Sequence, residues 1–178
     1  MKHQTKPISA ILMILFSSIV IFSCQPNQRQ EKIDRIHKLE KTLFETKKGI
    51  IDKKEASNMI YAYTQYADAF PHDSASANYL FKAADVSINT FHSQQTIALF
   101  NRILSDYPNY SKAPQALFLK AFTFENYLSQ LDSAKVNYSL FLKKYPHHPF
   151  ANDAQISLDN LGKTPEEIIK EFKDKEGK

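Results

Sequence analysis

The stretch Ala134-Lys135-Val136-Asn137-Tyr138-Ser139-Leu140-Phe141-Leu142-Lys143-Lys144-Tyr145-Pro146 decides the fold. Ala134, Tyr138, Phe141 and Leu142 recur at three-to-four spacing, which puts them on one side of a helix. The Tyr145 ring can pack the last turn onto a neighbouring helix, and Pro146, lacking an amide hydrogen, stops the helix. The spacings of four, three and five that link Ala134, Tyr138, Phe141 and Pro146 occur twice more upstream, in Thr96, Phe100, Ile103 and Pro108 and in Met59, Tyr63, Tyr66 and Pro71. Three helices therefore close on an aromatic-proline pair: Phe70-Pro71, Tyr107-Pro108 and Tyr145-Pro146, with the prolines 37 and 38 residues apart. A period of that length belongs to units that bury their apolar faces on one another, whereas a closed up-down bundle would show heptads without it. Eight residues past each proline lie Tyr79, Ala116 and Ala154; the two alanines are small enough for an incoming helix to approach closely.

Composition points the same way. The chain of 178 residues has three glycines, at 49, 162 and 177, and no tryptophan, which suits helices joined by tight turns rather than a sheet rich in glycine turns. Capping signals mark helix starts at Asp52-Lys53-Lys54-Glu55 and Thr164-Pro165-Glu166-Glu167, each with a capping side chain three residues before a glutamate. Ser93, Ser111 and Asp132 or Ser133 are further cap candidates. Eight helices are expected, near 31–47, 53–70, 75–88, 94–106, 112–127, 132–144, 150–161 and 165–173. In the last of these, Glu166, Glu167, Lys170 and Glu171 suit the exposed side of an end cap, and Ile168, Ile169 and Phe172 its packed side.

The pattern resembles the tetratricopeptide repeat, a pair of antiparallel helices in a unit of about 34 residues. Its second helix carries alanine, an aromatic, a small or apolar residue and a closing proline, the places taken here by Ala134, Tyr138, Phe141 and Pro146. Phe100 and Pro108 match in the preceding unit. Tyr63 and Pro71 match in the earliest, which is the poorer fit because Met59 and Tyr66 are bulky. The tryptophan and glycine of the family's first helix are missing, and the units are longer than 34, with the extra length expected near residues 90–92 and 127–128. The resemblance implies an all-α, tetratricopeptide-like helix-pair solenoid of about three repeats over 52–162, with a flanking helix and turn at 31–51 and a capping helix and tail at 163–178.

The N-terminus carries a second signal. Lys2 and Lys6 form a basic start, and Ile8 to Phe22 runs without a charge, long enough for the apolar part of a signal peptide and short for a membrane span. It ends at Ile21-Phe22-Ser23-Cys24, where Cys24 is the single cysteine of the chain. These residues resemble the lipobox of bacterial lipoproteins. The resemblance implies removal of 1–23, acylation of Cys24 with chains such as palmitate, and anchoring in a membrane, where each buried methylene contributes about 0.8 kcal/mol. Residues 24–30, polar and carrying Pro26, read as a lipidated tether. Gln25 stands where an aspartate would favour inner-membrane retention, so the expected location is the periplasmic face of the outer membrane. The chain has 23 lysines and arginines against 19 acids. Lys2 and Lys6 leave with the signal peptide, so 21 stand against 19 in the remainder. That near-neutral balance does not favour nucleic acid as a partner.

No catalytic constellation stands out. There is no Gly-x-Ser-x-Gly elbow and no glycine-rich phosphate loop, and the one cysteine is committed to lipid. His147-His148 follow Pro146 in a turn without further metal ligands, so neither metal nor cofactor is expected. What remains is a surface that binds. Tyr63 and Tyr66 belong to packing; Tyr61, about 200° from Tyr63 around the helix, points away from that face. With Tyr79 and Phe81 it forms the expected groove contact. Lipobox and repeats together resemble the lipoprotein component of the outer-membrane β-barrel assembly machinery, over about residues 52–162. Members of that family typically have five repeats and a longer chain. The likeness implies a membrane-anchored, non-enzymatic periplasmic scaffold whose partners are envelope proteins such as barrel-assembly subunits. An accessory lipoprotein that binds a cell-wall or other envelope enzyme is the alternative.

Overall fold

The three aromatic-proline pairs fold into three copies of one turn. In the computed structural model, which describes residues 25–45, 52–90 and 92–176, Phe70, Tyr107 and Tyr145 have φ of −131°, −131° and −133° and ψ of 62°, 54° and 53°. Their amides donate to the carbonyls of Tyr66, Ile103 and Phe141 at 2.9, 3.0 and 2.8 Å, closing each helix. Three residues further on, the amides of Asp73, Tyr110 and His148 donate back to the aromatic residues' carbonyls at 3.0, 3.0 and 3.1 Å. The same turn thus recurs at the sequence period.

Eight helices make up the described residues: α1 (Gln25–Glu45), α2 (Lys53–Ala69), α3 (Ser74–Asn89), α4 (Ser93–Asp106), α5 (Ala113–Asn126), α6 (Leu131–Lys144), α7 (Ala151–Asn160) and α8 (Pro165–Glu176). The class is all-α. Each helix from α1 to α6 packs against the next in sequence, as consecutive helix pairs require. Ala116 and Ala154 are fully buried, as expected of residues that admit a close neighbour.

Two tyrosines in the same register show which helices correspond. Tyr63 Oη donates to Glu40 Oε1 at 2.8 Å, and Tyr138 Oη to Glu125 Oε2 at 2.7 Å. Each bond ties the second helix of a pair to the first, so α1 stands to α2 as α5 stands to α6. Burial raises both phenol pKa values, and the bonds to the carboxylates add to the shift. Phe100 holds this register in α4 and has no hydroxyl.

The core has two parts. Ile36, Tyr63, Tyr66, Tyr79, Leu80 and Phe100 belong to the first, and Leu117, Tyr138, Phe141 and Ala154 to the second. Helix α5 contributes Ala116 to one and Leu117 to the other, and Leu104 packs against both.

Several boundaries differ from expectation. Residues 25–30, expected as a tether, are helical, and α1 starts at Gln25 rather than near 31. A proline in a first turn removes no intrahelical hydrogen bond. The turn also gains a distant partner: Arg29 Nε lies 2.6 Å from Asp73 Oδ2, and the guanidinium sits 5.9 Å from the Tyr66 ring centroid. Cys24 and the signal segment lie outside the described residues. The connections inside the pairs, 90–92 and 127–130, are short; those after Tyr107 and Tyr145, 107–112 and 145–150, are longer, so the extra length is not where the spacing placed it.

The caps are mixed. Thr164 and Glu167 form the expected reciprocal box, at 2.8 and 3.2 Å, and Asp52 Oδ1 accepts from the amides of Lys54 and Glu55. Helices α4, α5 and α6 start without a side-chain cap, so Ser93, Ser111, Asp132 and Ser133 do not serve. Asp73 caps α3 instead, accepting from Ala75 N–H at 2.8 Å. In α8, Ile169 is 54% exposed rather than packed, the Phe172 side chain lies outside the described residues, and a Lys163–Glu171 ion pair ties the helix to the preceding turn.

Asp73 thus joins the Arg29 side chain, the Tyr66 hydroxyl and the α3 amide. The hydrogen bond from Arg29 holds its pKa down at about 2; burial opposes the shift, and the Ala75 amide and the Tyr66 hydroxyl reinforce it. A carboxylate depressed in the folded state adds stability that is complete above its unfolded value and disappears as pH falls through the folded one. Thermal midpoints measured from pH 5 to pH 2 should therefore fall more steeply in the wild type than in Asp73→Asn below about pH 4. Parallel curves would mean that the Arg29–Asp73–Tyr66 contact contributes nothing.

Candidate functional site

A cleft opens between α4 and α6, with α5 as its floor. It has two lobes, of about 460 and 300 Å³. The larger is walled by Leu104, Leu117 and Leu140 and reaches Lys144 and Tyr145 at the end of α6. The smaller is walled by Phe124 and Val136 and reaches Asp132 and Ser133 at the start of α6. Three residues line both lobes: Asn101 from α4, Lys120 from α5 and Asn137 from α6.

The walls follow from helix geometry. Val136 and Leu140 are one turn apart on α6 and stay on the outer side while Tyr138 and Phe141 turn into the core. They are 65% and 38% exposed. Asn137 is nearly buried and donates from Nδ2 to Ser133 O at 2.8 Å. Leu104 and Leu117 are shared with the core, so that side of the cleft is built from packed residues.

Lys120 is the unusual member. Its ammonium lies 5.9 Å from the Phe124 ring centroid, and among the described residues it has no ion pair or hydrogen bond. Burial lowers its pKa, because desolvation disfavours the charged form and no carboxylate offsets it. The larger lobe carries a second lysine, Lys144, and no acidic residue. The cleft can thus accept apolar side chains along its walls and a hydrogen-bond acceptor or anion at its centre.

The contact residues expected from sequence lie elsewhere. Tyr61 is exposed as its position around the helix required, with the Arg35 guanidinium 5.8 Å from its ring. Tyr79 and Phe81, each 8% exposed, are core instead of surface. Tyr79 packs on Tyr63 and Tyr66 with ring centroids 5.6 and 4.6 Å apart, and Phe81 on Phe100 and Tyr110 at 6.2 and 6.3 Å. They come together with Tyr63 in the first core cluster, and Tyr61 is not part of it. Of the residues assigned to the repeat, Tyr63, Tyr66, Phe100, Ala116, Ala134, Tyr138 and Phe141 are buried. Phe70, Tyr107 and Tyr145 are half-buried at the turns, with Pro71, Pro108 and Pro146 exposed beside them.

His148 has a structural task. Its Nδ1 accepts from Phe150 N–H at 3.1 Å, and its ring meets Phe141 and Phe150 edge-on. Among the described residues, no three His, Cys, Asp or Glu side chains cluster as metal ligands would, and no helix is long and apolar enough to cross a membrane.

The sequence period holds a signal for the cleft. Counting back 37 and forward 38 from Lys120 reaches Ala83 and Leu158; counting back from Asn137 in the same way reaches Leu99 and Ala62. A lysine and an asparagine thus stand at positions that are apolar in the other units. A comparison with models of known protein families gave no match, and neither did a comparison with curated protein sequences.

Proposed function

We propose that this chain is a membrane-anchored scaffold of the bacterial envelope, built from tetratricopeptide-like helix pairs, that holds a segment of another protein in the cleft between α4 and α6. The observation that carries the reading is the cleft: apolar walls open to solvent on both sides of a polar centre, on a floor fixed in both core clusters. Mixed apolar and polar grooves of this kind suit extended peptides. The tetratricopeptide reading is supported by the turn repeated at Phe70, Tyr107 and Tyr145 and by the equivalent Tyr63–Glu40 and Tyr138–Glu125 bonds. The anchor rests on Cys24 in its lipobox-like setting. Because α1 begins at Gln25 and is held at Arg29 by Asp73, acylation of Cys24 would keep the first helix pair close to the lipid surface. The partner belongs to the envelope, with subunits of outer-membrane protein assembly as the specific case that the resemblance suggests, and the scaffold itself is not catalytic.

The reading is tested with a photocrosslinking residue at position 140 of the full chain, in native membranes of cells fed an alkynyl palmitate. The expected result is a lipid-labelled chain that gives one reproducible adduct with an envelope protein from position 140 and none from a control at position 155, exposed on α7. Equal adduct patterns from both positions, or a chain without lipid label, would reject it.

A further inference from the structure

We infer that the cleft selects its peptide by an internal acidic residue flanked on both sides by apolar residues, with Lys120 as the group that receives the carboxylate. The inference rests on the scaffold reading and adds the chemistry of the partner.

Lys120 replaces the alanine and leucine that the other units carry at its register, Ala83 and Leu158, and its ammonium is left without a counter-ion among the described residues. A half-buried cation costs stability unless something pairs with it. Asp132 lines the smaller lobe but makes no ion pair with Lys120, and the larger lobe carries Lys144 and no acid, so the charge on the larger-lobe side of the centre favours a negative ligand. A carboxylate on Lys120 would form a charge-assisted hydrogen bond, with the amides of Asn101 and Asn137 lining the same point from either side.

The place of Lys120 in the cleft decides between a side chain and a chain end. It lies where the two lobes meet, and both continue past it, toward Leu140 on one side and Val136 on the other. A terminal carboxylate at that point would leave one apolar lobe empty; an internal aspartate or glutamate lets the chain run on and fill both. From Asp132 to Tyr145 the cleft follows α6 for about 20 Å at 1.5 Å per residue, room for about six residues of extended chain at 3.3 Å each. An apolar residue two positions to either side of the acid fits that length.

The test uses the full lipidated chain in phosphatidylcholine nanodiscs and fluorescently labelled peptides read by anisotropy. The probe is Gly-Leu-Ser-Glu-Ser-Val-Gly, acetylated and amidated, against the same peptide with glutamine for glutamate, and against the glutamine peptide shortened to end in a free valine carboxylate. The glutamate peptide should bind at least ten-fold more tightly than either. Lys120→Arg should keep that preference and Lys120→Leu should abolish it. Since leucine occupies this register at position 158, Lys120→Leu should also raise the thermal midpoint by a few degrees, which separates lost recognition from lost folding. Equal binding of the glutamate and glutamine peptides, a preference that survives in Lys120→Leu, tighter binding of the free carboxylate, or displacement of the glutamate peptide by phosphatidylglycerol vesicles but not by excess unlabelled peptide would each overturn the inference. So would absence of binding by every peptide. In any of these cases the scaffold reading still stands or falls on the adduct from position 140.

Discussion

Phe141→Ala is expected to cost about 3–5 kcal/mol, the range for removing a fully buried aromatic side chain, and to loosen α5 to α7 ahead of the rest. Phe141 is completely buried, and its ring meets Phe118, Tyr145 and His148 with centroids 5.5 to 5.7 Å apart. It anchors the second core cluster, which has fewer buried residues than the first and adjoins it through α5 and Leu104. In an array where each helix packs mainly on its sequence neighbours, a local loss is felt locally. Hydrogen exchange should therefore show amides of α6 and α7 exchanging at least ten-fold faster in Phe141→Ala, with those of α2 and α3 little changed. Uniform acceleration across all the helices would show a single cooperative core and contradict the division into two clusters.

That division also bears on the cleft. Its floor helix, α5, contributes to both clusters, while Val136 and Leu140 stand on the outer face of α6. A packed floor and open walls suit a site that holds a partner's chain without refolding itself.

Much of this architecture was legible because it follows from local chemistry. A proline turns the residue before it away from the helical region, and pairs 37 and 38 residues apart put that stop at a near-constant period; Phe70, Tyr107 and Tyr145 need no distant contact to be read. The bounds of α2 to α7 fell within a residue of where three-to-four spacing put them, and α8 starts at the Thr164-Glu167 box. What escaped depends on residues far apart in the chain. Helix α1 extends back to Gln25 with Arg29 held by Asp73, 44 positions away, and no local pattern announces that pair. Asp73 caps α3 from the turn after Pro71. Tyr79, expected as a groove contact, shares its register with Ala116 and Ala154; it is core, packed on Tyr63 and Tyr66. Lys120 and Asn137 were visible in principle as polar residues at apolar registers, but that reading needs the three units aligned through α3, α5 and α7 as well as through the helices that end in proline.

The central claim is that the α4–α6 cleft holds the partner, and Val136→Asp/Leu140→Asp tests it most directly. Both residues are exposed, so the double variant should retain the wild-type helical dichroism and lose only a degree or two of thermal midpoint per substitution. Its two carboxylates would place negative charge on the apolar wall and beside Lys120, giving that lysine an internal partner and repelling an acidic one. With both proteins crosslinked in native membranes and captured on a C-terminal tag, the account predicts that the partner found from position 140 falls at least ten-fold in the variant. Undiminished recovery of that partner from a correctly folded variant would contradict it.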